Sequence, residues 1–249
     1  MTFHWKKLMT YFTEKTTINQ QLTKNLAIDP AHFEIQKMWR IVGTNNSSIL
    51  ELRAIWPSGM QPAKPALTTH FRAANLGGID TCKSAFEAEA LRLNALGYNI
   101  YIVMNPIVPT FAGSAVKDQD ICYRDLLLID IDRVEKIKEP ATDEDIEAAN
   151  QLAEVVMGYL AINDWPEPIR VMSGNGHHLY YVLPEVPNNE ESTKYVKSLL
   201  KNLAAEFDND TVKIDTTVFN ASRITKVVGT IARKGLESDG RPYRMAVVI

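Results

Sequence analysis

Leu126-Leu127-Leu128-Ile129-Asp130-Ile131-Asp132 is the stretch on which the fold turns. Four apolar residues run directly into two aspartates separated by one isoleucine. On an extended strand alternate side chains point to opposite faces, so Asp130 and Asp132 share one face and Ile129 and Ile131 the other. Two carboxylates about 7 Å apart at the end of a buried strand are costly unless something neutralises them. A divalent cation is the natural partner, because hard anionic oxygens suit Mg²⁺ or Mn²⁺. The alternative is a strand end carrying two solvated aspartates, and the stretch alone does not choose between the two.

Outward from this strand the pattern is regular. Asp143 to Ala161 places Ile146, Ala149, Ala153, Val156 and Leu160 on one helical side. Ile169 to Met172 is a short strand, Ser173-Gly174-Asn175-Gly176 a turn, and His177 to Leu183 a second strand on composition. Residues 190–207 are amphipathic, with Val196, Leu199, Leu200, Leu203 and Phe207 on the apolar stripe, and Val212 to Phe219 reads as extended. This order is the β-α-β-β-α-β ferredoxin-like unit, also the frame of an RNA-recognition-motif (RRM)-like domain. It covers one sheet face with two helices and leaves the other open for a site. The fold class is α/β (α+β).

Before this unit the sequence supports a smaller α/β part. Residues 1–37 read as helical, with Asp29-Pro30 as an N-cap and first-turn proline. Ser48 to Ile55 and Ala66 to Phe71 read as strands. Ser84 to Ala95 reads as a helix, with Ser84 and Glu87 as a capping box and Gly97 as its stop. Asn99 to Asn105 is a strand halted by Pro106, and residues 107–124 form an irregular polar loop of the length that is usually functional or mobile. Arg223 to Val228 is ambiguous, and Tyr243 to Ile249 reads as a final strand. The expected organisation is an N-terminal helical segment (1–47) and one domain (48–249), itself divided into 48–124 and 125–249.

Composition narrows the function classes. The chain has 249 residues, 45% hydrophobic and 23% charged, as expected of a soluble globular protein. It has no apolar run long enough to span a bilayer and no signal-peptide pattern at its start, so a cytoplasmic location is expected. Cys82 and Cys122 are the only cysteines, too few for a disulfide framework or a cysteine-based zinc site. The net charge of −3 is uneven: +4 over residues 1–80, −11 over 81–210 and +4 over 211–249. The basic C-terminal stretch favours a polyanionic ligand near it.

Three stretches could carry chemistry. The first is the Asp130/Asp132 pair. In the second, Ser173-Gly174-Asn175-Gly176-His177-His178, the glycines allow backbone N–H groups to approach phosphate oxygens, and only one of two adjacent strand histidines can face the site. The third is Asp215, which would complete a two-metal site, with Arg223 and Lys226 as phosphate-binding cations. Each has a plain structural reading as well: a solvated strand end, a hairpin turn and a capped turn.

Taken in order, these stretches resemble the catalytic domain of the archaeo-eukaryotic primase superfamily, most of all the primase-polymerase domains of phages, plasmids and other mobile elements. The hydrophobic strand ending in Asp130-Ile131-Asp132, the serine and glycine turn from Ser173 to His178, and Asp215 match that superfamily's three motifs. Asn105-Pro106, Arg223 to Thr230, Arg233-Lys234-Gly235 and Arg241-Pro242-Tyr243-Arg244 match segments of its mobile-element members. The resemblance covers about residues 48–249.

It implies a DNA-dependent nucleotidyltransferase that makes or extends primers on single-stranded DNA. Asp130, Asp132 and Asp215 would hold Mg²⁺ or Mn²⁺, and His178, with Ser173 and the turn residues Asn175 and Gly176, would contact the incoming NTP or dNTP. Arg223 and Lys226 would add phosphate or template contacts. The family position before the histidine is commonly aromatic and here is His177, which leaves open which histidine acts. A helicase domain or separate helicase is an implied partner, and no zinc site is visible. Two other classes compete: a non-catalytic single-stranded-DNA-binding replication-initiation module, and a rolling-circle endonuclease. The latter's histidines carry a spacer that His177-His178 lacks.

Overall fold

The computed structural model describes residues 29–249; the helical reading of residues 1–28 lies outside them. In chain order the elements are α1 (Pro30–Gln36), β1 (Ile49–Ile55), β2 (Leu67–Arg72), α2 (Ile79–Ala95), β3 (Asn99–Val103) and β4 (Tyr123–Arg133). There follow α3 (Asp143–Ile162), β5 (Ile169–Met172), β6 (Gly176–Pro187), α4 (Glu190–Phe207) and β7 (Val212–Ile214). Four short strands close the chain: β8 (Ile224–Lys226), β9 (Ile231–Ala232), β10 (Arg244–Met245) and β11 (Val247–Val248).

The ferredoxin-like unit forms as the pattern predicts. Strands β5, β6, β4 and β7 are neighbours in that order, all antiparallel, with β11 added beside β5. Ile129 and Ile131 are completely buried on the face that α3 and α4 cover. The period-2 alternation of β4 therefore separates core from site, one residue at a time. Helix α3 is capped by Thr142, whose hydroxyl accepts from Asp145 N, and α4 by Asn189, whose side chain accepts from Ser192 N.

A second sheet has the order β2-β1-β3-β8. Its fourth strand comes from the far end of the chain: Tyr101 pairs with Lys226 and Val103 with Ile224. Leu52, Ala54, Ile100 and Ile102 are fully buried beneath α2, in an apolar core continuous with that of the ferredoxin-like unit. Helix α1 starts as expected, with Asp29 Oδ1 accepting from Ala31 N at 3.0 Å and Pro30 in the first turn. Residues 107–121 are not a free loop, because Ile107, Phe111, Val116 and Ile121 form a small core with Ile49, Val103 and Ala221.

Several boundaries differ from the sequence expectation. Helix α2 begins at Ile79, not Ser84, because Asn46 Oδ1 accepts from Ile79 N and supplies the cap from a distant loop. Ser84 lies within the helix and donates back to Asp80 O, while Glu87 is buried and accepts from Trp39 Nε1. The extended reading of Val212–Phe219 holds only to Ile214, after which Asp215 turns the chain by accepting from Thr217 N. The final strand is split at Ala246, whose backbone bonds to Thr230 O and Gly229 N instead. No helix among the described residues is long and apolar enough to cross a membrane.

Candidate active site

A cleft of about 450 Å³ opens between the two sheets. Asp130, Asp132, Ser173, Asn175, His178, Asp215, Arg223 and Lys226 all line it, so the three separate stretches converge. The register explains how. Asp130 lies directly opposite His178 in the β4–β6 ladder, and Asp132 opposite Gly176, so in each pair both residues face the same way. Asp215 follows β7, and its backbone N–H donates to Asp130 O at 2.8 Å, which extends the pairing and fixes the third carboxylate beside the other two.

His178 Nε2 lies 3.3 Å from Asp130 Oδ1, an ion-pair contact without the alignment of a good hydrogen bond, and that oxygen is buried with no other partner. The opposite ring nitrogen, Nδ1, is 2.8 Å from Tyr180 OH, which in turn bonds to Thr225 Oγ1 on β8. Burial opposes a charge on His178, but the adjacent carboxylates of Asp130 and Asp132 outweigh it and hold its pKa above the ordinary value. His177 points the other way. It does not line the cleft, its Nδ1 is buried without a partner, and burial with neighbouring Arg170 pushes its pKa down to about 4. Geometry therefore separates the two histidines that the sequence left undivided.

Asp132 is the most perturbed carboxylate. Burial, then the charge of Asp130, pushes its pKa up to about 7, and Asp215 adds to the effect while His178 and Lys234 oppose it. Among the described residues, no group of three His, Cys, Asp or Glu side chains is closed tightly enough to form a ready-made metal centre. The donor set nonetheless fits a divalent cation. It offers hard oxygens from Asp130, Asp132 and Asp215, one of them buried and unpartnered, whose mutual repulsion a cation would relieve.

The turn between β5 and β6 is built to let backbone come close. A Cβ at Gly176 would lie 2.2 Å from Ile131 O and 2.4 Å from Asp132 Oδ1. Gly174 has φ +102°, and a Cβ there would lie 2.4 Å from Ala232 Cβ. The polar side chains of this turn are partly committed to it. Ser173 Oγ donates to Gly176 O at 3.1 Å, and Asn175 Oδ1 accepts from Ala141 N at 2.9 Å.

The cations are placed differently from one another. Lys226 is buried, donates to Ile231 O at 3.1 Å and lies 5.7 Å from the Tyr101 ring centroid; burial and then Arg233 push its pKa down to about 7. Arg223 is partly exposed and donates to Thr217 O at 2.6 Å, which braces the turn after Asp215. Tyr101, Arg233 and Lys234 also line the cleft, although no site role was expected of them from the sequence. The strand alternation of β3 could have indicated Tyr101. Behind the site, buried Arg124 donates to Phe219 O at 2.9 Å and Thr193 Oγ1 at 2.8 Å, and Asp118 accepts from Ser222, so the Asp215 turn is held from both ends.

No family model matches the chain, and neither does any curated protein. Two solved structures are similar over most of their length. The polymerase domain of Mycobacterium tuberculosis Ligase D, in complex with DNA, is 16% identical with a TM-score of 0.50, over 86% of this chain and 79% of that one. The archaeo-eukaryotic primase domain of the cyanophage S-2L primase-polymerase is 17% identical with a TM-score of 0.48, over 87% and 88%. At this identity the likeness to the Ligase D polymerase domain is one of fold, a mixed α+β architecture with antiparallel sheets.

Proposed function

We propose that this chain is a DNA-dependent nucleotidyltransferase, a primase or primer-extending polymerase acting on single-stranded DNA. The observation that carries the reading is the convergence of Asp130, Asp132, Asp215 and His178 with Arg223, Lys226, Arg233 and Lys234 on one cleft. Carboxylates beside cations at the mouth of a glycine turn suit a triphosphate better than a neutral or cationic substrate. The likeness in fold to the polymerase domain of Ligase D agrees with this choice of chemistry.

In the reaction, the acceptor's 3′-oxygen forms a bond to the α-phosphorus of the incoming nucleotide as the α–β bridging bond breaks. Pyrophosphate leaves, and the hydroxyl proton passes to solvent. Asp130, Asp132 and Asp215 would hold Mg²⁺ or Mn²⁺, which supplies charge stabilisation at the attacked phosphate. His178 lies between Asp130 and Tyr180, the carboxylate favours its charged form, and it would donate to a phosphate oxygen from within the cleft. Lys226 and Arg223 would meet the remaining phosphate charge or the template strand. Ser173 contributes chiefly by closing the turn that Asn175 anchors and Gly176 seats against Asp132. Replication of a mobile element alongside a helicase is the setting we infer from the motifs.

The test is a primer-extension and de novo synthesis gel on single-stranded DNA, with NTPs and dNTPs, in Mg²⁺ and in Mn²⁺. The Asp130→Ala/Asp132→Ala double variant should make no product while melting at or above the wild-type temperature. Product from the double variant would overturn the assignment. DNA binding by the wild type without product would favour the non-catalytic replication-initiation module.

A further inference from the structure

A second cavity, of about 610 Å³, lies on the far side of the same carboxylates. Asp132, Asp215 and Lys234 line both cavities and form the wall between them. Beyond that wall the second cavity is lined by Lys136 and Lys138, from the loop after β4, and by Lys213 on β7. Lys213 lies opposite Asp132 in the β4–β7 ladder and so presents its ammonium on the same sheet face. None of these three lysines takes part in an ion pair among the described residues. Of the cavity's other charges, Glu135 is an exposed carboxylate beside Lys136, and two more are already committed. Arg133 is held by Pro140 O and Asp145, and Asp208 accepts from Ile214 N at 2.8 Å.

We propose that this lysine-lined cavity binds the phosphates of the acceptor, the molecule that brings the 3′-hydroxyl to the reaction. The proposal rests on the nucleotidyltransferase reading. In-line transfer requires the attacking oxygen to reach the α-phosphorus from the side opposite the leaving pyrophosphate. A donor triphosphate held by His178, Lys226 and Arg223 in the first cavity keeps its leaving group there. The acceptor must then come from across the shared wall, and the uncommitted lysines lie on that side. The exposed Lys136 and Lys138 and the half-buried Lys213 suit phosphate recognition without sequence preference, as a sliding or growing strand demands. The acceptor's phosphates have two sources, the backbone of a primer strand or the triphosphate of a first nucleotide.

The test uses the full chain carrying Lys136→Gln, Lys138→Gln and Lys213→Gln together, with the corresponding Lys→Arg triple as a charge-conserving control. One arm extends a primed template and the other starts synthesis on unprimed single-stranded DNA. In the glutamine triple the acceptor KM should rise about ten-fold or more, with the KM of the incoming nucleotide unchanged and the arginine triple close to wild type. A rise confined to the primed arm assigns a strand, and one confined to the unprimed arm assigns the first nucleotide's triphosphate. An unchanged acceptor KM, or an equal rise for the incoming nucleotide, overturns the proposal.

A parallel measurement separates this from failure of the reading beneath it. Anisotropy of a labelled primed duplex is followed against salt concentration, in EDTA without nucleotide. The salt slope of the glutamine triple should be shallower by roughly 0.7–0.9 for each phosphate that it no longer neutralises. If the wild type makes no product in either arm, the polymerase reading fails. The lysine cavity then stands as a phosphate site if the slope falls, and is overturned if it does not.

Discussion

Gly176→Ala would place a methyl group where two strands already touch. The added Cβ would lie 2.2 Å from Ile131 O and 2.4 Å from Asp132 Oδ1, where ordinary van der Waals contact begins at 3.4 Å. The first obstacle is the backbone of β4, which is paired on both sides, so it cannot swing away as a flexible side chain could. Overpacking of this kind costs about 1–3 kcal/mol, and the rigid neighbour argues for the upper end. In a chain of this size about 3 kcal/mol lowers Tm by roughly 6–12 °C. Gly158→Ala is the internal control. It lies in α3 with nothing within 4 Å of an added Cβ, and should gain about 0.5–1 kcal/mol from reduced backbone entropy. Thermal unfolding followed by circular dichroism, in EDTA, compares the two. Because the clash includes Asp132 itself, Gly176→Ala should also lose nucleotide incorporation at temperatures well below its own Tm. A Gly176→Ala protein that melts with the wild type would refute the idea that this glycine exists for close approach.

The buried titrating groups give two pH dependences, both to be measured in EDTA. Asp132 is raised from 3.8 to about 7 in the folded chain, so the folded state holds its proton more tightly than the unfolded state. Its contribution is fully present below the unfolded value and is lost as pH rises through the folded one, so Asp132→Asn should stabilise the chain most above about pH 7. An Asn variant with an unaltered pH–stability profile would contradict the buried-carboxylate description. His177 has the opposite sign, because its folded pKa is lowered from 6.5 to about 4 and the unfolded state binds the proton first. Stability should fall as pH drops through that window, and His177→Gln should flatten the fall; an unchanged slope would place His177 in solvent rather than under α3.

Much of the geometry of the candidate site was legible because strand alternation and motif spacing are local properties. Asp130 and Asp132 share a face by period alone, and the ladder then sets His178 and Gly176 opposite them. The ferredoxin-like order of elements was readable for the same reason. What escaped were features made by distant chain segments. The start of α2 depends on Asn46, and the state of His178 depends on Tyr180 and Thr225 from two sheets. The brace of the Asp215 turn depends on Arg124 and Asp118. Residues 107–121 looked polar in sequence, yet their few apolar residues pack together as a core. Lys136, Lys138 and Lys213 carry no local signal, because cations on a strand and in a loop look like ordinary solubilising charge until a cavity gathers them.

The position of β8 has a consequence for how the molecule comes into being. Residues 224–226 complete a sheet whose other strands end at Val103, and they bring Thr225 and Lys226 to the cleft. During synthesis, the first sheet emerges with an open edge at β3 and stays unfinished until more than a hundred further residues have followed. The cleft therefore cannot pre-exist in either half. A chain cut between β3 and β4 would give two pieces, one with an unpaired strand edge and one with an orphan strand, and reconstitution from them would have to rebuild the edge and the site in a single step.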